Sequence, residues 1–256
     1  MSNLEKALAD FKAGKFVIVT DDADRENEGD LFILGAEVTA QDMGFMVRYT
    51  SGVICAAITE DIANRLALPY MVKRNQDSKQ TAFTISIDAK RGLTTGISAS
   101  ERATTLQEMA NSNSVETDFV RPGHIFPLIA NKSGLKARRG HTEAAVVMAA
   151  VIGAEPVVAI SELVNEDGSM MRGDSLFEFA KANQIEVITI EELAEKYSEI
   201  NFEKVNNLRW AKLPRESAEW QIAVYRTAFG IEHARSEEHT SELQSLRHLV
   251  CRLLLE

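Results

Sequence analysis

The sequence predicts an α/β fold of the α+β kind, in which a single compact domain has a mixed β-sheet packed by helices. Short apolar, β-branched runs typical of strands alternate with segments of helical apolar spacing from residue 3 to residue 197. Apolar residues make up 45% of the chain, an ordinary share for a globular protein. No internal repeat or low-complexity linker divides this stretch, so its segments are expected to share one core.

The individual elements follow from apolar periodicity and from stop signals. Residues 3–13 have helical spacing that ends at Gly14, and a second helix is expected after Thr39. Further helices are predicted at residues 61–68, 100–111, 175–183 and 190–197. Strands are predicted at residues 16–20, 31–38, 53–59, 81–88, 157–163 and 185–190. Helical spacing assigns three methionines to the core, not to ligand positions: Met43, Met46 and Met148.

Charge and cysteine content limit the possible functions. The net charge of −10 argues against a nucleic-acid partner. The N-terminus lacks the apolar core of a signal peptide, and no apolar run reaches the length that spans a membrane. Cys55 and Cys251 lie far apart and do not make a disulfide framework. A reducing, cytoplasmic location is therefore expected.

The most acidic segment is residues 21–30, where six of ten side chains are carboxylates. Strand-like runs flank the segment, so its carboxylates have little freedom to separate. Mg²⁺ and Ca²⁺ prefer oxygen ligands and offset such repulsion, which favours a cation site, and a solvated acidic turn is the alternative. A calcium-binding EF-hand does not fit, because Gly35 stands twelfth from Asp24, where a bidentate Glu is needed.

A second polar cluster comes just before an alanine- and valine-rich run, residues 144–152. This run predicts a buried helix that begins near Thr142 as its N-cap. The free N–H groups of that terminus, with Arg138 and Arg139, would make a phosphate-sized anion site. His141 at the same place is a candidate metal ligand, although a lone histidine is more often a surface or core residue. A deaminase-type zinc site is excluded, because no Pro-Cys-x-x-Cys pair follows.

Two shorter segments between these clusters also carry candidate residues. Residues 94–98 form a hydroxyl-rich turn before a helix start, either an oxyanion cradle or a simple capping turn. Residues 121–127 predict a rigid loop that presents His124 between two prolines. Each signal is weak when it is taken alone.

Six segments carry polar or glycine-rich motifs, in this order: 22–31 (DADRENEGDL), 52–55 (GVIC), 94–102 (TTGISASER), 121–128 (RPGHIFPL), 138–144 (RRGHTEA) and 161–168 (SELVNEDG). Together they resemble the motifs of the 3,4-dihydroxy-2-butanone-4-phosphate synthase family. Glu101 stands where that family usually has Asp, and Arg139 fills a variable position. The resemblance spans about residues 1–200.

The resemblance implies that a homodimer converts ribulose 5-phosphate to dihydroxybutanone phosphate and formate, using Mg²⁺ or Mn²⁺, two ions per site, and no organic cofactor. Glu26 and His141 would bind the metal. The catalytic residues would be His124, Glu162, Glu28, Asp30 and Cys55. For Cys55, a purely structural role is slightly favoured over proton transfer. The phosphorylated sugar would be held by Arg25, Glu26, Asp30, Thr95, Ser98, Arg138, Arg139, Gly140, His141, Thr142 and Glu162.

Two other functions stay open at this point. Another Mg²⁺-dependent phospho-sugar enzyme, such as an isomerase, would use the same acidic segment and anion site, but would not need all six motifs. A non-catalytic binding module for divalent cations would explain residues 21–30, but leaves His124, His141 and Glu162 without a role.

The sequence changes character after about residue 200, so three regions are predicted. Residues 1–204 would be the synthase domain. Residues 205–234 resemble the opening strands of GTP cyclohydrolase II, cut short before its zinc-binding cysteines. Residues 235–256 resemble a translated adapter sequence and are expected to be a non-native tail.

Overall fold

The computed structural model describes residues 2–21 and 28–200, together with the backbone of three strands between residues 210 and 239. The chain forms two units, residues 1–202 and 203–256. The first unit contains the helices α1 Asn3–Lys12, α2 Ala40–Tyr49, α3 Glu60–Arg65, α4 Ala99–Ala110, α5 His141–Val151, α6 Asp174–Asn183 and α7 Ile190–Tyr197. Its strands are β1 Val17–Thr20, β2 Gly29–Leu34, β3 Cys55–Ile58, β4 Ile87–Ala89, β5 Phe119–Ile129, β6 Val157–Glu162 and β7 Glu186–Thr189.

The strands of the first unit form one seven-stranded sheet in the order β4-β5-β3-β6-β2-β1-β7. The β3–β5 and β1–β7 pairs are parallel, and the other neighbours are antiparallel. The predicted mixed sheet with helices is therefore confirmed. None of the described helices is both long and apolar enough to cross a bilayer.

Helices cover both faces of the sheet and bury two apolar clusters. Residues of α1, α5 and α7 pack on one face, and residues of α2, α3, α4 and α6 pack on the other. Helix α5 is buried from its first residue to Ala149, which explains its run of small and β-branched side chains. Met43, Met46 and Met148 are fully buried, as their spacing predicted.

Reciprocal capping boxes fix the start of several helices. Ser98 and Glu101 form one at α4, and the pair Thr39 and Asp42 forms another at α2. Helix α5 differs from the prediction, because it begins at His141 and its N-cap is Gly140, not Thr142. Gly140 has no side chain, so the N-cap residue itself offers no side-chain acceptor to the first N–H groups of this helix.

Two predictions in the region of β4 and β5 were wrong. The predicted strand 81–88 is reduced to the short β4. Before it, Phe83 forms an isolated bridge with Leu128 of β5, and Thr84 forms one with Tyr70, which lies outside the sheet. The predicted loop 121–127 lies inside the eleven-residue strand β5. Near Pro122, two side chains accept hydrogen bonds from the backbone of β5. Ser86 Oγ, just before β4, accepts from the Gly123 N–H, and Asp88 Oδ1, on β4, accepts from the His124 N–H. Pro122 has no backbone N–H, so it interrupts the hydrogen-bond ladder between β4 and β5 without ending strand β5.

The second unit contains a three-stranded antiparallel sheet in the order β10-β9-β8. Its strands are β8 Trp210–Leu213, β9 Glu219–Arg226 and β10 Glu232–His239. Strand β10 runs across residue 235, where the non-native tail was predicted to begin. The assignment of residues 205–256 to a cyclohydrolase-like stub and a tail stays a prediction.

Candidate active site

A cavity of about 360 Å³ lies where β2, β3 and β6 meet the N-terminus of α5. Asp30 on β2 is the cross-strand partner of Glu162 on β6, and Cys55 on β3 is the partner of Ile160, two residues before Glu162. Side chains of cross-strand partners project from the same face of a sheet. This register brings residues from three distant sequence motifs to one wall of the cavity.

The histidine at the start of α5 faces one of these carboxylates. His141 Nδ1 lies 3.8 Å from Asp30 Oδ1, and both residues are buried, with 7% and 5% of their surfaces exposed. Helix α5 places His141 at the positive end of its dipole. A buried imidazole beside carboxylate oxygens is a donor set that suits a divalent cation.

Hydrogen bonds hold the other two carboxylates of the cavity. Glu162 Oε2 accepts from Ser51 Oγ at 2.8 Å. Glu28 pairs with Arg172, with 2.5 Å between Oε1 and Nη2. Two hydrogen bonds between Asp21 and Glu28 close the base of the acidic segment. The Glu28 N–H donates to Asp21 Oδ1, and the Asp21 N–H donates to the Glu28 carbonyl. Arg25 and Glu26, predicted to bind substrate and metal, lie outside the described residues.

Cys55 contributes a neutral thiol to the cavity. Its side chain is buried, and burial raises the pKa of the thiol far above its ordinary value, with the negative charges of Glu162 and Asp30 adding to the effect. A thiol in such a place is protonated at neutral pH and is a weak nucleophile.

Arg138 supplies a cation at the edge of the cavity. Its Nη1 lies 2.6 Å from Glu143 Oε2, and Glu143 also accepts the N–H of Asn131 through Oε1. A Cβ on Gly140 would fall 2.2 Å from Arg138 Nη1, so a side chain at this position would displace the guanidinium. Arg138 and Thr142 line the cavity. Arg139 is exposed and is not among the described residues that line it.

The second histidine motif, which contains His124, forms a separate cluster. His124 Nδ1 lies 2.7 Å from Asp88 Oδ2, and the His124 N–H donates to Asp88 Oδ1 at 2.8 Å. The His124 side chain is 37% exposed, whereas Asp88 is buried. The turn that contains Thr95 and Ser98 packs on this pair through Gly96. We call these residues the His124 cluster; among the residues that the structure describes, none of them lines the cavity.

The predicted site residues therefore fall into two described groups. The cavity group contains Glu28, Asp30, Cys55, Arg138, His141, Thr142 and Glu162. The sequence analysis did not identify four of the residues that hold these groups: Ser51, Asp88, Glu143 and Arg172. Of these four residues, only Asp88 could have been identified from the sequence, because a carboxylate at the end of a predicted buried strand needs a hydrogen-bond partner.

The donor chemistry of the cavity fits a hard divalent cation. Glu28, Asp30 and Glu162 offer carboxylate oxygens, and His141 offers imidazole nitrogen. In the described part of the chain, no three His, Cys, Asp or Glu residues already stand close enough to bind an ion by themselves. Glu26 lies in the undescribed part of the acidic segment. The pair Glu26 and His141, with water and substrate oxygens in the remaining positions, stays a prediction from the family resemblance.

This fold and this cavity define an α/β enzyme whose carboxylates, histidine and arginine suit acid–base chemistry on a small anionic molecule. The chain belongs to the 3,4-dihydroxy-2-butanone 4-phosphate synthase family, because the family's model matches residues 5–196.

Curated relatives share this part of the chain. A Riboflavin biosynthesis protein RibBA of Bacillus cereus (strain G9842) is 54% identical over 190 residues, which are 74% of this chain and 48% of the relative. The RibBA of Chlamydia trachomatis serovar D is 40% identical over 256 residues, 98% of this chain and 60% of the relative. The chain thus spans about half to three fifths of the length of these relatives.

Solved structures have the same fold. A 3,4-dihydroxy-2-butanone 4-phosphate synthase in complex with two magnesium ions is 40% identical, with a TM-score of 0.74, and the match covers 78% of this chain and all of that one. The synthase of Candida albicans is 47% identical, with a TM-score of 0.71, and the match covers 77% of this chain and 97% of that one. RibBX of A. baumannii is 35% identical, with a TM-score of 0.73 over 94% of this chain and 70% of its own.

Proposed function

We propose that this chain converts ribulose 5-phosphate to 3,4-dihydroxy-2-butanone 4-phosphate and formate in riboflavin biosynthesis, with Mg²⁺. The observation that carries the proposal is the cavity, where Asp30, Glu162 and His141 meet beside Arg138 in a member of this family. The magnesium-bound relative supports the choice of Mg²⁺, and Mn²⁺, with the same preference for oxygen and imidazole ligands, is proposed as a substitute.

The proposed reaction needs several proton transfers. Loss of one carbon as formate begins with proton abstraction next to a carbonyl and continues through dehydration, a skeletal shift, hydration and cleavage. Glu162 is fixed by Ser51 at the cavity wall, and Asp30 lies opposite it in the β2–β6 register, so both carboxylates reach the same small substrate. We assign them to proton transfer, with Glu28 at the cavity edge in a supporting role.

The metal and the protein's phosphate contacts would bind different parts of the substrate. Glu26 and His141 would hold the Mg²⁺, which would supply Lewis acidity for the negative charge that develops on the substrate oxygens. Close to His141, the Arg138 guanidinium and the N–H groups of the α5 N-terminus offer donors to the phosphate. Binding energy from the phosphate, remote from the reacting carbons, then fixes the orientation of the sugar.

We further propose a homodimer in which the His124 cluster of one subunit completes the cavity of the other. His124 is half-exposed and firmly oriented by Asp88, yet it does not line the described cavity of its own subunit. A symmetric interface repeats every contact twice, so one shared site implies a second. The substrate and the reaction would belong to the cytoplasm, where phosphorylated sugars are made and used.

The reaction is assigned to residues 1–204, with no contribution from the cyclohydrolase-like segment 205–234 or from residues 235–256. The family match ends at residue 196, which supports this boundary. A chain that ends at Val205 should release formate as fast as the full chain, and the full chain should not hydrolyse GTP. Zinc-dependent GTP hydrolysis by the full chain would contradict the assignment of residues 205–234.

One assay separates the proposal from its alternatives. The full chain is incubated with ribulose 5-phosphate and Mg²⁺, and both formate and pentose phosphates are measured. The proposal predicts one formate per dihydroxybutanone phosphate formed. A pentose phosphate without formate would indicate an isomerase, and no product at all would indicate a cation-binding module.

A further inference from the structure

One carboxylate holds both ends of the turn formed by residues 94–98. Glu101 Oε1 accepts hydrogen bonds from the N–H of Thr94 at 2.5 Å and from its Oγ1 at 2.8 Å. Glu101 Oε2 accepts from the N–H of Ser98 at 3.3 Å and from its Oγ at 2.9 Å. The Ser98 contacts complete the capping box of α4, but the Thr94 contacts are not needed to begin a helix.

The turn that Glu101 closes lies directly against the His124 cluster. Gly96, at the centre of the turn, is buried and has a φ of +83°. A Cβ built there would fall 2.0 Å from Asp88 Oδ2 and 3.0 Å from His124 Nδ1. The backbone of the turn therefore covers the hydrogen bond between the two side chains. If the turn opened, water would reach Asp88 and compete for that bond.

We propose that Glu101 is a positioning residue for His124, which acts by clamping the 94–98 turn over the Asp88–His124 hydrogen bond. The proposal rests on the proposed function, in which His124 takes part in proton transfer. An ionised Asp88 is only an acceptor, so Nδ1 of the His124 ring carries the proton and Nε2 is left to face the substrate. The hydrogen bonds from Thr94 and Ser98 also lower the pKa of Glu101 to about 2, which keeps the clamp ionised at neutral pH.

The test compares Glu101→Ala and Glu101→Gln with a control variant in the full chain. Glu101→Ala removes both ends of the clamp, and Glu101→Gln keeps one acceptor oxygen and so holds one end. The control is Asp42→Ala, which removes a similar capping box at α2, where Asp42 accepts the Thr39 N–H at 2.9 Å. It destabilises a helix start to a similar degree without contact with the turn.

Two readouts are needed, and one of them requires no catalysis. In ¹⁵N-histidine-labelled protein, the signal that disappears in His124→Ser identifies the His124 ring. We expect this hydrogen-bonded Nδ1–H signal to be lost or shifted in Glu101→Ala and unchanged in Asp42→Ala. In the formate assay, Glu101→Ala should lower kcat about tenfold with KM changed less than about twofold, and Glu101→Gln should lie between it and wild type.

An unchanged His124 signal in Glu101→Ala would overturn the proposal, and so would an equal loss in Asp42→Ala. A rise in KM alone would also overturn it, because binding and not positioning would then be affected. If Glu101→Ala does not fold, Glu101→Gln and Thr94→Val, which removes one clamp donor, carry the same test. If the wild type produces no formate, the proposed function fails while the NMR comparison still decides the role of Glu101.

Discussion

Two histidines of the molecule differ in their burial and in how a neighbouring carboxylate holds them. His141 is buried at the N-terminus of a helix, where its ring faces Asp30 across 3.8 Å inside the cavity. His124 stands on a long strand with 37% of its side chain exposed, and Asp88 holds it at 2.7 Å. The first arrangement places a buried imidazole beside a carboxylate, a donor set that suits a divalent cation. The second fixes one ring nitrogen and leaves the other free to exchange a proton.

The difference shows that the surroundings of a histidine decide its chemistry. A ligand needs a neutral ring and oxygen donors nearby, whereas a proton-transfer group needs a fixed tautomer and access to substrate. We therefore assign metal binding to His141 and proton transfer to His124. The following predictions test this division, from the largest expected effect to the smallest.

The largest effect is expected at the metal ligands. His141→Ala and Glu26→Gln should each lower kcat on the order of 10³-fold, because the Lewis acid is lost. Chelation with EDTA should abolish activity, and added Mg²⁺ should restore it. Unchanged far-ultraviolet circular dichroism would show that the fold remains. Full activity in excess EDTA would contradict the metal assignment.

Removal of the proton-transfer groups should reduce turnover more than binding. His124→Ser and Glu162→Gln are expected to lower kcat by about 10² or more with little change in the Kd of the substrate, because acid–base groups act in the transition state. Steady-state kinetics and isothermal titration calorimetry separate the two quantities. A pure KM effect at His124 would show that it binds substrate and does not move protons.

A smaller effect, of a different kind, is expected at Arg138. Arg138→Ala should raise KM about tenfold or more, since it removes a charge-assisted contact to the phosphate. The exposed neighbour Arg139 provides the matched control, and Arg139→Ala should change KM only slightly because its side chain lies outside the cavity lining. Equal effects of the two variants would contradict the assignment of the phosphate to Arg138.

The smallest effect is expected at Cys55. Because its pKa is raised, the Cys55 thiol stays protonated at neutral pH and carries no negative charge. Cys55→Ser should retain near-full activity, and iodoacetamide should not modify Cys55 in the native protein at pH 7. Rapid alkylation with loss of formate release would instead indicate an active thiolate.

The sequence predicted the parts of this account that depend on local signals. The buried helix after residue 140, the capping turn before α4 and the order of most helices and strands follow from short-range patterns. The cavity residues were predicted through family motifs, and the structure brings most of the described ones together. The predicted roles of these residues remain for experiment.

The remaining features depend on pairings that no local pattern contains. Asp88 meets His124 across 36 positions of sequence, and Arg172 meets Glu28 across 144. Strand β5 was mistaken for a loop because its prolines suggested a turn. In the structure, the side chains of Ser86 and Asp88 accept the β5 N–H groups where the backbone ladder is interrupted. Strand 81–88 was predicted too long, because Phe83 and Thr84 form only isolated bridges, and the partner of Thr84 is Tyr70, outside the sheet.

The central claim is that the cavity and the His124 cluster form one catalytic centre shared between two subunits. Mixing His124→Ser with Glu162→Gln after subunit exchange tests it directly, because each variant supplies what the other lacks. In an equal mixture half of the dimers are mixed and each has one complete site, so formate release should return to about a quarter of the wild-type rate. Mixed dimers that remain inactive would show that each subunit builds its site alone, and would contradict the account.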